Sequence, residues 1–404
     1  MDGFTAWRLR ARCSLLLLAA LSFDGGSVAR ADLTLSLRNV APSSEGEAPA
    51  GEGDGSDFTL GPELPTNLGS FNFMINAGGT LAGNAPALAA FQRAANQWKS
   101  WISDTITVNI NADLAGLGPG TIASTNSVML QGSYPLVRNQ MALDATNEID
   151  DGIVAFLPAT PLYDLPPGFG LRGSTFVNEA VLLTKANAKA LGFAGLDAAF
   201  GANDGTITFS TSFSFDFDRS DGIGAGLTDF ESAAAHEIGH VLGFISDVEF
   251  VDFVKDLGAT SQDVQPTPLD MFRFDNGTAA DPETTTQFLT FHRSMETNNA
   301  AMFDQISSSF GGATEALMST GHDTGDGNQA SHWKNDQITG ILLGMMDPTL
   351  APGQIFPLSA NDLRAFDLIG YEISQIPEAG AWLFGAVAMC LGGLSIAWQR
   401  RRRG

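Results

Sequence analysis

The run Ser232–Phe244 reads Ser-Ala-Ala-Ala-His-Glu-Ile-Gly-His-Val-Leu-Gly-Phe, and it constrains the fold more than any other stretch of the chain. Its interior consists of good helix formers, and Thr228–Glu231 just before it has capping-box spacing, which predicts a helix starting there. On such a helix His236 and His240 leave the same face about one turn apart. Two imidazoles in that arrangement can bind one metal ion, while Glu237, roughly 100° further round, reaches a neighbouring water instead of the ion. Gly243 supplies the backbone freedom with which a helix stops. A site of this kind needs a third ligand, so a distant segment must fold back over the helix. The bare pattern also occurs by chance on ordinary helices, but here two of only five histidines in the chain fall inside it.

Composition sets the outer bounds. The chain has 404 residues, 45 acidic and 21 basic, for a formal net charge of −24. At ~150 residues per domain that is one large or two ordinary domains with a hydrophobic core. The charge opposes phosphate backbones, which excludes nucleic acid as a partner. Two cysteines form neither a disulfide framework nor a multi-cysteine metal site.

Both ends read as processing segments. Arg8, Arg10 and Arg12 precede the apolar run Ser14–Leu21 and the small-x-small triplet Ala29-Arg30-Ala31, the pattern of a signal peptide over residues 1–31 that signal peptidase removes. The apolar run is too short to span a bilayer. At the other end, Ala379–Gln399 carries no charged residue and leads into Arg400–Arg403. Its length suits a transmembrane helix, and the arginines orient it with the preceding chain outside the cytoplasm. Ile376-Pro377-Glu378-Ala379, the apolar segment and the arginine cluster together resemble the bacterial PEP-CTERM sorting tail, with Ala379 where a second proline usually stands. That resemblance implies processing by an exosortase-type membrane enzyme and release to the periplasm, outer surface or medium.

The expected organisation is a signal peptide (1–31), a flexible acidic leader or linker rich in Gly, Pro and Ser (32–65), a catalytic domain (66–375) and the sorting tail (376–404). Cys13 and Cys390 fall in the discarded ends, and the remainder carries 13 basic and 42 acidic residues.

Periodicity supplies a few elements. Leu88, Phe91, Ala95, Trp98 and Ile102, behind Asn84 as N-cap and Pro86, predict an amphipathic helix. Ile106, Val108, Ile110 and Ala112 alternate with polar residues and predict a strand. A second alternation, Ile207, Phe209, Phe213, Phe215 and Phe217, predicts one long half-buried strand, antiparallel or at a sheet edge. Leu363, Phe366 and Ile369 predict a closing helix, with Tyr371 after it expected to pack, the alternative being to help polarise a substrate carbonyl.

The third ligand is open among His292, His322 and His332 from the residues alone. Ser246 stands three residues after Gly243 and is a poor ligand, Asp247 lies one place further on, and the thermolysin-like distance offers no Glu. Gly-Asn-Gln-Ala-Ser-His332-Trp, followed by Gly-Met-Met346-Asp-Pro and a closing Asp-Leu helix, resembles the leishmanolysin-type metzincins and the metalloproteases that carry PEP-CTERM tails, where a long insertion precedes the third histidine.

The resemblance implies an α+β metzincin-like zincin fold: a mixed twisted sheet with the active-site helix, plus an irregular C-terminal subdomain. It further implies His236, His240 and His332 as ligands of one catalytic Zn²⁺, Glu237 as general base, and Met346 beneath the metal. His322, in a loop, is the alternative third ligand, and the Ile207–Phe217 strand would be the edge strand above the cleft that holds an extended peptide substrate. The expected activity is zinc-dependent endopeptidase; the alternative is a weak or inactive zincin-fold matrix or adhesion protein. Acidic loops such as Asp323–Asp326 offer oxygens of the kind Ca²⁺ takes, but nothing further in the sequence supports such a site.

Overall fold

A computed structural model describes residues 71–145, 152–166, 180–258, 264–275, 284–297 and 315–373, together with strand segments 34–37, 58–59, 175–176 and 301–304. The expected signal peptide, the sorting tail and both cysteines lie outside the described residues. Among the described residues no helix is long and apolar enough to cross a membrane.

The architecture is mixed α+β and includes two four-stranded sheets, one of which carries the site. In chain order the elements that build the site are β1 (Asn72–Ala77), α1 (Ala85–Lys99), β2 (Thr107–Ala115), β3 (Ala123–Ser127), β4 (Met129–Ser133), β5 (Ala180–Thr184), α2 (Lys185–Ala190), β6 (Gly205–Ser210), α3 (Phe230–Leu242), α4 (Val248–Asp256) and α5 (Ala360–Leu368). The sheet that carries the site runs β1-β2-β6-β3, with β1, β2 and β6 parallel and β3 antiparallel to β6. A second sheet pairs β4 with β5 and with Thr34–Leu37, which in turn pairs with Phe58–Thr59. A three-stranded meander of Arg273–Asp275, Ala301–Asp304 and Glu315–Met318 leads toward His332.

Helix α1 forms over most of the predicted stretch but ends at Lys99, and Ile102, expected on its face, lies past it in a bridge to Ile373. The Asn84 side chain accepts from Ala87 N, Pro86 sits in the first turn where no amide partner is lost, and Ala87, Ala90, Phe91, Ala94, Ala95 and Trp98 are buried. The small residues on this face let α1 lie close against α3, whose Ala234 and Ala235 are also buried, and Trp98 Nε1 donates to Ala235 O at 2.8 Å. Burying Trp98 and Phe91 contributes roughly 2–3 kcal/mol each. In β2, Val108, Ile110 and Ala112 face the core as the alternation predicts.

Two further local expectations differ from the structure. Thr228 is not the cap of α3: it lies in a short strand with Asp229, paired with Phe215–Asp216, and Asp229 caps the helix by accepting from Glu231 N and Ser232 N. Glu231 is thereby free of a capping role, and its carboxylate instead receives Arg93, Gln97 and Arg219, which offsets the cost of burying it. The alternation from Ile207 to Phe217 is not one strand either. β6 ends at Ser210, whose Oγ accepts from Ser212 N in a turn, and Phe215 and Phe217 pack on Phe230 with ring centroids 5.1 Å away. That alternation records an aromatic cluster across a bend. β6 is also interior, so the edge nearest α3 belongs to β3.

Buried charge ties the layers together. Lys185 and Lys189 of α2 converge on Asp204 just before β6, and the same carboxylate accepts from Asn109 N of β2 at 2.7 Å. Paired and hydrogen-bonded in this way, the three charges can remain in the interior.

Candidate metal centre

α3 presents His236 and His240 on one face, as residues four apart on a helix must. The helix ends where Gly243 takes φ 121°, a conformation costly for any other residue. His240 Nδ1 then meets Phe244 O at 2.8 Å, so the turn that stops the helix also orients a site residue.

His332 reaches the same point from far along the chain. Ser319 N donates to His332 O and Trp333 N donates to Met346 O, which makes the His332 segment an inner rung of irregular backbone pairing. Helix α4 holds its other side: Ser331 N donates to Glu249 Oε1 at 3.0 Å, and the Asp252 carboxylate accepts from Asp323 N and Thr324 N, each at 2.7 Å. Ser246, a poor ligand at a position where a third histidine could stand, donates its amide to Ser331 Oγ at 3.0 Å. It supports the neighbour of the converging histidine instead.

The three Nε2 atoms lie 3.1, 3.1 and 3.3 Å from one another. Each ring's Nδ1 faces a carbonyl oxygen: Met345 O at 2.8 Å for His236, Phe244 O at 2.8 Å for His240 and Gln329 O at 3.1 Å for His332. A carbonyl only accepts, so each Nδ1 carries the proton and each Nε2 turns a lone pair inward. Three converging lone pairs repel one another unless a cation lies between them. Burial holds all three rings neutral, lowering His236 to about 4, His240 to about 3 and His332 well below the ordinary value. These residues form the one group among the described residues able to hold a metal ion.

Glu237 lies beside the group without joining it. Its Oε2 accepts from Thr125 Oγ1 at 2.6 Å, and burial pushes its carboxyl up to about 7 against the pull of that bond. Met346 and Met345 are both fully buried. Met346 sulfur packs under Gly239, while the Met345 carbonyl orients His236. Asp362 of α5 fastens this floor: its carboxylate accepts from Trp333 Nε1, Met345 N, Met346 N and Ser359 N.

The other candidates lie elsewhere. The His322 side chain is 60% exposed and pairs with Asp323, and His292 pairs with Asp164. Asp326 accepts from Thr320 N and Asn328 N and faces Lys334 Nζ, so the loop uses its own carboxylates. Tyr371 is fully buried and donates its hydroxyl to Leu242 O, a packing role.

Sequence reading missed Thr125, Glu249 and Asp362. Thr125 sits in a polar stretch with no periodic signal. Asp362 did leave one, the Ser359-x-x-Asp362 capping box that the structure forms. No family model, curated protein or solved structure matches the chain.

Proposed function

We propose that this protein is a zinc-dependent endopeptidase of metzincin type. The observation that carries the reading is the convergence of three neutral imidazoles whose Nε2 lone pairs meet beside a buried carboxylate that is not one of them. Zinc fits the donor set: three nitrogens at about 2.0–2.1 Å from a tetrahedral ion stand ~3.3–3.4 Å apart, close to the spacing found. The carbonyls behind each Nδ1 are the outer partners that zinc-binding histidines usually have.

A zinc ion held by His236, His240 and His332 would supply a Lewis acid to acidify a water and polarise the substrate carbonyl. Glu237 accepts the proton of the attacking water and delivers it to the leaving amine, a role suited to a carboxyl raised toward neutral pH. Among the described residues no other strand pairs with the outer edge of β3, so an extended peptide can add to it through main-chain hydrogen bonds. With residues 1–31 and 376–404 read as export and sorting signals, the enzyme would act outside the cytoplasm, tethered until its tail is processed.

The test compares the detergent-purified full-length protein with Glu237→Ala and His332→Ala for zinc content and casein cleavage. The reading requires stoichiometric zinc in the parent and in Glu237→Ala, loss of zinc in His332→Ala, and loss of cleavage in both variants. A parent that cleaves no faster than Glu237→Ala would leave a metal-binding scaffold in place of an enzyme.

A further inference from the structure

Two side chains of β3 point onto α3, the helix that carries His236 and His240. Thr125 is 5% exposed, and its hydroxyl lies 2.6 Å from Glu237 Oε2 and 3.1 Å from Glu237 O. Ser127 Oγ donates to His240 O at 3.1 Å. The register fixes where the main chain of the same residues points. Ser210 N donates to Ile122 O and Val128 N donates to Asp204 O, at either end of the β6–β3 ladder. Hydrogen-bonded pairs recur every second residue in an antiparallel ladder, so Ile122, Ser124, Asn126 and Val128 face β6. Ala123, Thr125 and Ser127 therefore turn their amides and carbonyls to the open edge.

From this geometry we infer that Thr125 is the positioning residue for Glu237, and that it couples the carboxylate to the strand edge along which a peptide would lie. The inference rests on the hydrolase reading of the site.

A hydroxyl has one proton and can also accept. Facing the ionised carboxylate, Thr125 Oγ1 donates to Oε2. Once Glu237 has taken the proton of the attacking water, its carboxyl O–H donates to Oγ1, and the hydroxyl proton turns to Glu237 O. When the proton leaves with the amine, the first arrangement returns, so no proton is gained or lost at Thr125. The carboxylate thus keeps its partner, and its rotamer, in both halves of the reaction. The Thr125 amide and carbonyl meanwhile face the edge where substrate main chain would pair, so docking and base placement share one residue.

The experiment uses full-length zinc-loaded protein, the variants Thr125→Val and Thr125→Ser, and Glu237→Ala as reference. Thr125→Val keeps shape and burial but removes the hydroxyl. It should retain stoichiometric zinc and a near-parental KM, with kcat lowered about 10- to 100-fold, the usual cost of losing an outer partner. Thr125→Ser should restore most of kcat. Zinc-loaded crystal structures should show the Glu237 carboxylate displaced in Thr125→Val and back in place in Thr125→Ser.

Parental kcat in Thr125→Val, failure of Thr125→Ser to rescue, or loss of zinc in step with activity would each overturn the inference. If the parent cleaves no faster than Glu237→Ala, the hydrolase reading fails, and the crystallographic comparison still decides whether Thr125 holds the carboxylate.

Discussion

Gly239 occupies the helix position that looks onto Met346. A Cβ there would stand 2.4 Å from Met346 sulfur, 3.1 Å from its terminal methyl carbon and 3.3 Å from Trp98 Cζ2. Nothing in an ordinary helix asks for glycine, which costs about 1 kcal/mol relative to alanine, so close approach of the floor residue is the reason to find it here. Gly239→Ala should accordingly destabilise the protein by roughly 1–3 kcal/mol through overpacking, instead of stabilising it as the intrinsic propensity predicts. Urea unfolding of both proteins decides the sign. The pair His236 and His240 was legible because helical spacing alone puts them together. Gly239 was visible only as a letter between them, since the residue it must accommodate lies more than a hundred positions away.

Three elements owe their site roles to one or two polar residues each. α3 begins at the Asp229 carboxylate, α4 grips the His332 segment through Glu249 and Asp252, and α5 holds the methionine floor through Asp362. The last is the sharpest to test. Asp362→Ala leaves the Trp333 indole and three amides without their buried acceptor, so it should cost about 3–5 kcal/mol and weaken metal affinity at least 10-fold. Thermal unfolding and competition for zinc with a chelator measure the two losses. Metal affinity unchanged in a folded variant would mean that α5 supports the domain but not the centre. Helices α1 and α5 were readable from a repeating apolar face, and α3 from its helix-forming interior, all of them local signals. β3 was not, because its five residues are mostly polar and acquire a register only when β6 lies beside them. The Phe213–Phe217 alternation misled for the complementary reason: side chains on either side of a bend can gather on one cluster as readily as on one strand.

At the scale of the whole molecule, the histidines join α3 to a segment beyond the meander, so an ion between them cross-links parts of the chain that are distant in sequence. Metal bound only by the folded state adds about 2.7 kcal/mol at a hundredfold excess over its Kd. Calorimetry should find a Tm several degrees lower after chelation, restored by zinc and not by magnesium; equal Tm values would contradict a resident metal. A second prediction concerns Asp144, which burial and the nearby Asp104, Glu372 and Asp367 push up to about 8. The folded protein then keeps a proton that the unfolded chain releases near pH 4. The stability this contributes is complete below that pH and is lost as pH rises through 8. Asp144→Asn should therefore match the parent below about pH 4 and exceed it at pH 8 by on the order of 1–2 kcal/mol, read from urea midpoints.

By itself the sequence determined the helix that carries two histidines and a carboxylate, its stop at Gly243 and the amphipathic helices around it, because capping and periodicity act within a few residues. Which histidine completes the group, which strand forms the edge and which hydroxyl meets Glu237 were decided only by tertiary structure. Those relations depend on the meander, α4 and α5 bringing His332 back across ninety-odd residues, and no spacing along the chain encodes that return.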